Sequence, residues 1–134
     1  MKAETREWVR CAEEDFEVAL TQFRRRTKRP TTNAICFHCQ QCAEKYLKAR
    51  LEEAGSGIPK VHDLALLLQH LLPIEPLWAS YAPMLRGLND YAVKFRYPGH
   101  VATQADARAA LKGCRSIRAE VRLSLALPKK SSTI

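Results

Sequence analysis

Nothing in this sequence reaches the roughly 18 consecutive apolar residues that a membrane-spanning helix needs. The opening, MKAETREWVR, carries charges where a secretory signal would hold its apolar core. These two absences lead us to expect a cytoplasmic protein that makes no use of a membrane. No segment alternates apolar and polar residues with period two over a useful length, so strands are not expected. No internal repeat at solenoid periods is found either. Cysteine is present, but not as a disulfide framework would use it. The five cysteines are an odd number, and three crowd into Cys36, Cys39 and Cys42. That spacing resembles an iron–sulfur ligand run, which needs a fourth cysteine, and position 46 is Tyr. On a helix the three sulfurs fall on the apolar stripe, where cysteine acts as a small hydrophobe. We therefore expect reduced core thiols, no metal and no cofactor.

What is present fits one domain. The chain has 134 residues, 46% of them hydrophobic, enough to bury one core. The formal net charge is +8, which favours a nucleic acid, a nucleotide or an acidic protein as partner.

Apolar positions recur at alternating threes and fours. Over 4–26 they are Trp8, Cys11, Ala12, Phe16, Ala19, Leu20 and Phe23. Pro30 closes that helix, and Thr31 or Thr32 can cap the next. The second helix runs to about Glu53, with Cys36, Cys39, Ala43, Tyr46 and Leu47 on one face. Gly55, Gly57 and Pro59 break it. Asp63 can cap a short third helix through Leu64, Leu67, Leu68 and Leu71. A fourth shows Trp78, Tyr81, Leu85, Leu88, Ala92 and Phe95, with Gly87 inside it expected to allow a close helix contact. Pro98 and Gly99 stop it. Thr103 and Asp106 form a capping-box pattern for a fifth helix, with Ala107, Ala110, Cys114, Ile117, Val121 and Leu125 inward. The expected fold is all-α, an up-and-down bundle of four long helices plus one short helix. A single domain over 1–127 and a disordered tail over 128–134 complete the expectation.

Several features could carry chemistry. Arg24, Arg25, Arg26, Lys28 and Arg29 place five cations in six positions, suited to phosphate contact or to plain solubility. On the fifth helix Arg108, Lys112, Arg115, Arg118 and Arg122 make a basic stripe. On the second, His38, Gln41, Lys45 and Lys48 share a polar face that could line a pocket or a dimer surface. The segment from Asn89 to His100 is the most informative. Arg96 offers a fork that grips phosphate bidentately, or pairs with a carboxylate such as Asp90. His100 can pass protons near neutral pH, and Tyr97 could stack on a base.

Four pieces in order give the chain a resemblance to the HEPN family: the opening Trp8 helix; FHCQQCAEKYLKA at 37–49; KVHDL at 60–64; and FRYPG at 95–99, followed by AT-x-x-DA at 102–107. They span roughly residues 5–125. The resemblance implies a helical bundle that dimerises, often paired with a small nucleotidyltransferase in a toxin–antitoxin-like system. Many members are metal-independent ribonucleases with an arginine, four to six residues, then a histidine. Here only three residues separate Arg96 from His100. The reading that follows is a homodimeric RNA- or nucleotide-binding protein, with Arg96 on phosphate, and Tyr97, Asp90, Lys45, Arg24, Arg25 and Arg26 as further ligand-binding candidates. One alternative is an endoribonuclease toxin with Arg96 and His100 catalytic. The other is a non-catalytic adaptor for an acidic protein.

Overall fold

A computed structural model describes residues 1–95 and 97–130. Among these residues five α-helices form in chain order: α1 (Ala3–Arg24), α2 (Thr32–Glu53), α3 (Leu64–Leu71), α4 (Ala82–Lys94) and α5 (Gln104–Ser124). A 3₁₀ helix, Pro76–Tyr81, leads into α4. There is no strand among the described residues. Four of the α-helices have 22, 22, 13 and 21 residues and α3 has eight, which is the all-α arrangement that the periodicity predicts.

Helix α2 is the central element: buried residues lie almost all the way round it, polar Gln40, Glu44 and Lys48 among them. Cys36, Cys39, Cys42, Ala43, Tyr46 and Leu47 are all fully buried. Cross-links fix the directions of its neighbours. Lys2 meets Glu53 and Thr31 meets Gln22, so α1 runs antiparallel to α2. Tyr46 meets Arg122 and Arg50 meets Ser124, so α5 runs parallel to α2. Asn89 meets Asp63 while Asn33 meets Phe95, so α4 runs back antiparallel. One end of the bundle therefore collects the C-termini of α1 and α4 with the N-termini of α2 and α5.

The caps are partly those read from the sequence. Asp63 accepts from the backbone N–H groups of Ala65 and Leu66, and Thr103 and Asp106 form a complete capping box. Thr31 stands at the start of α2 but makes no side-chain cap; its hydroxyl donates to Gln22 instead. The fourth helix is shorter than the apolar spacing suggests. Pro83 lies in the first turn of α4, where its missing N–H costs nothing, and Trp78 sits in the preceding 3₁₀ helix. The close contact expected at Gly87 is made elsewhere. Gly87 faces open space, whereas a Cβ at Gly113 of α5 would lie 3.2 Å from Met84 and 3.4 Å from Leu88.

The basic stripe of α5 also divides. Arg118 and Arg122 turn inward and are 6% and 5% exposed, while Arg108 and Lys112 face outward. Arg118 donates to both Glu13 carboxylate oxygens at 2.6 and 2.9 Å, and Tyr46 donates to the same carboxylate. Arg122 donates to the Tyr46 hydroxyl at 3.2 Å and to the Pro128 carbonyl at 2.9 and 3.0 Å. In the stretch read as a tail, the Lys130 carbonyl accepts from Arg118 at 3.3 Å. Residues 131–134 lie outside the described residues.

Candidate functional site

The α4–α5 connection is held by one side chain that the sequence reading passed over. The Asn33 amide, in the first turn of α2, donates to the carbonyls of Phe95 at 3.2 Å and His100 at 3.1 Å. Its oxygen accepts from the Ala102 N–H at 2.7 Å. A single amide thus fastens both sides of the loop. Phe95 and Ala102 are buried and anchor its two feet. Between them the His100 N–H donates to the Tyr97 carbonyl at 3.4 Å, closing a turn with Pro98 and Gly99 in the middle. Gly99 has φ +92°, which a type II turn requires at its third residue and which glycine reaches without steric cost. The loop is therefore shaped by its own sequence and tied down from α2.

The turn presents its side chains outward: Tyr97 is 63% exposed, and His100 is exposed. Arg96 lies outside the described residues. Tyr91 stacks on Phe95 with ring centroids 5.8 Å apart. Burial, with the charges of Asp106 and Asp90 adding, holds the Tyr91 phenol above its ordinary range, so it stays neutral. Asp90 is exposed on α4, beside a shallow cavity shared with Lys94.

The basic run meets this loop at the same end of the bundle. Arg24, Arg25, Arg26, Lys28 and Arg29 are all exposed. Arg108, in the second turn of α5, lies over the Phe23 ring at 5.9 Å, tying the end of α1 to the start of α5. The N-termini of α2 and α5 point the same way, and their aligned peptide dipoles add positive potential. Asp106 caps one of them from within.

Lys45 stands apart from this cluster. It is more than three turns beyond Asn33 on α2, about 18 Å along the axis at 1.5 Å per residue. Its ammonium lies 2.6 Å from Asp15, whose other oxygen is 2.8 Å from the His38 ring. Asp15 is 9% exposed, a carboxylate buried on the α1 face and matched from α2. Two family-like pieces also converge on each other. Gln40 donates to the His62 carbonyl at 2.9 Å, and Glu44 meets the His62 ring at 3.1 Å and Lys48 at 3.1 Å. The Gln-Gln-x-x-Glu-Lys stretch thus fastens the α2–α3 connection and α1 to α2. Its polar residues were legible as a set, but not their long-range partners.

This geometry is that of a five-helix bundle with a clamped, polar loop at its electropositive end. The HEPN domain model matches residues 5–124, and the chain belongs to the HEPN family. TT1696 from Thermus thermophilus is similar in fold, with a TM-score of 0.79 at 24% identity over 91% of this chain and 98% of its own. ST0689, an archaeal HEPN homologue, has a TM-score of 0.70 at 26% identity, covering 93% of this chain and 99% of its own. No curated protein matches the chain significantly.

Proposed function

We propose that this HEPN-family chain binds RNA or a nucleotide at the loop end of the bundle, as a homodimer, in partnership with a nucleotidyltransferase. The observation that carries the reading is the gathering there of the Asn33-clamped loop, the exposed Tyr97 and His100, and the cationic run 24–29. In this reading Arg96, next to Tyr97 in sequence, grips phosphate; Tyr97 stacks on a base; and Arg24, Arg25 and Arg26 steer the strand in. Asp90, an exposed carboxylate of α4, would pair with Arg96 and orient it. The dimer is supported by exposed apolar side chains flanking the loop, with Val93 at 63% and Val101 at 76% exposure. Pairing through that face would bring two loops together.

A second reading, a metal-independent endoribonuclease, draws on His100. Its backbone is fixed through Asn33 and Tyr97 while the residue is exposed, as proton transfer to a bound strand requires. Arg96 would then stabilise the strained phosphate.

The test is one RNA of mixed sequence in EDTA, with the purified protein, Arg96→Ala and His100→Ala, across a range of salt. Salt-sensitive binding lost in Arg96→Ala, with the RNA intact, is the expected result. Cleavage lost in both variants would establish the nuclease instead. Absence of any RNA or nucleotide binding by a folded dimer would sink both readings and leave an adaptor for an acidic protein.

A further inference from the structure

The guanidinium of Arg115 departs from the pattern set by Arg10, Arg50, Arg118 and Arg122. The edge bearing Nε and Nη2 is the one that presents two parallel donors to an oxyanion. Arg10 uses it on Glu7, Arg118 on Glu13 and Arg122 on the Pro128 carbonyl. Arg50 uses it on Ser124 and Glu75. In Arg115 both atoms are buried from solvent, and neither has a hydrogen-bond partner among the described residues. Burial holds this guanidinium below its ordinary range, and the charge of Arg24 pushes the same way. A folded chain gains nothing from a desolvated donor pair that meets no acceptor.

Arg115 also lines a cavity of about 610 Å³ between the outer face of α5 and the segment that follows it. That volume lies within the range of small-molecule sites, about 300–1,000 Å³. Its other contributors fall into two kinds. Lys129 supplies an exposed cation, Lys130 a second whose ammonium also lies 3.8 Å from Glu13, and Ala119, Leu123 and Leu127 supply an apolar floor, with Leu123 74% exposed. Among the described residues the one carboxylate in the lining, Glu120, already accepts from Trp78 at 3.2 Å and Tyr81 at 3.3 Å. Arg118 and Arg122 form part of the wall, with their heads engaged inward.

We infer that this trough is a second anion site, separate from the loop, which takes a phosphate monoester with an apolar or aromatic body. The phosphate sits on the side-on edge of Arg115 with the two lysines at the rim, and the body lies over the leucines. Arg115 is half-buried with a long flexible stem, so bringing its edge to the ligand needs movement of the side-chain end alone. The inference is independent of the loop and holds whether or not RNA binds there.

The test uses phenyl phosphate and inorganic phosphate as probes, read by thermal shift and calorimetry on the full chain. Phenyl phosphate is expected to raise the Tm and to bind more tightly than inorganic phosphate. Arg115→Met should keep or raise the Tm of the free protein, because it removes a buried cation that has no acceptor. The same change should weaken phenyl phosphate at least about tenfold, the loss of one charge-assisted bidentate contact. Arg115→Lys, which keeps charge and stem but loses the fork, should weaken it as well. Lys129→Gln should weaken it by a smaller factor. A comparison of 5′-AMP with a short 5′-phosphorylated RNA, each on the parent and on Arg115→Lys, then tells a free metabolite from an RNA end, the ligand whose affinity falls in the variant naming the source. A lower Tm for the free Arg115→Met protein would make Arg115 a structural residue and overturn the proposal. So would unchanged phenyl phosphate affinity in both Arg115 variants, or equal affinity for the two phosphates.

Discussion

Arg118 and Arg122 carry the same charge as Arg25 and Arg26, and they are used in opposite ways. Beside α1 the first two are buried, and every donor edge meets Glu13, Tyr46 or a backbone carbonyl. At the loop end the run from Arg24 to Arg29 stands exposed, beside a loop whose backbone is tied but whose side chains are offered to solvent. Positive charge serves the fold in one region and is left at the surface in the other, where we propose that it serves recognition. The net charge of +8 therefore overstates the cationic surface. The stripe on α5 that reads as one basic face is a mixture of the two uses.

The largest effect should come from breaking the buried region. Glu13→Gln leaves Arg118 buried without a counter-charge and is expected to cost about 3 kcal/mol, read by urea denaturation. Burial works to raise the Glu13 carboxyl, but the hydrogen bonds from Arg118 and Tyr46 outweigh it and hold the group below its ordinary 4.5. The unfolded chain therefore takes up this proton at a higher pH than the folded one. The stabilisation is fully present above about pH 4.5 and fades as pH falls through the lower folded value. Glu13→Gln should remove that part of the acid sensitivity, so the two stability curves converge as pH falls through the folded carboxyl's lowered value. Parallel curves would show that the pair does not couple to folding.

Asn33→Ala comes next and acts where the two regions meet. It removes three hydrogen bonds that span the loop. At about 1 kcal/mol each, less what exposed carbonyls regain from water, the expected cost is about 2 kcal/mol. RNA affinity should fall with it, although Asn33 itself is not proposed to touch the ligand. Full affinity in a measurably destabilised Asn33→Ala protein would show that loop shape is irrelevant to binding.

Local signals were legible in the sequence and long-range ones were not. The three-four spacing, the Asp63 cap and the Thr103–Asp106 box each depend on neighbours within a turn or two. Glu13 finds Arg118 across 105 residues, and Asn33 finds Ala102 across 69, and no periodicity reports such partners. Gly87 and Gly113 look alike in a sequence. Only the register of α4 on α5 decides which one faces a neighbour. Asp15 sits beside Phe16 on the inward side of α1, a position whose polarity signals a buried partner without naming His38 or Lys45.

A smaller effect separates two helix ends at the far side of the bundle from the loop. Helices α2 and α5 both close with the same hydrogen-bond pattern: Ser56 N–H to Leu51 and Gly55 N–H to Glu52 in one, Leu127 N–H to Arg122 and Ala126 N–H to Leu123 in the other. The left-handed residue is Gly55 at φ +72° in the first and Ala126 at φ +56° in the second. Alanine carries a Cβ that this conformation disfavours by about 1 kcal/mol. Ala126→Gly is therefore expected to stabilise by up to about 1 kcal/mol, and Gly55→Ala to destabilise by a similar amount. Equal and negligible changes in Tm would show that neither end is held in that conformation.

The smallest effect on stability should come from the exposed run, which is where the contrast between the two regions is sharpest. Arg25→Gln with Arg26→Gln removes two charges that face water, so folding free energy should move by no more than about 0.5 kcal/mol. RNA affinity should fall together with its salt dependence. Each phosphate contact on a single strand contributes about 0.7 to the slope of log K against log salt, so losing two contacts should flatten it by about 1.4. A double variant as stable as the parent with an unchanged slope would mean that the run serves solubility alone. A flattened slope at constant stability would show that these arginines act on the ligand and not on the fold, the reverse of Arg118.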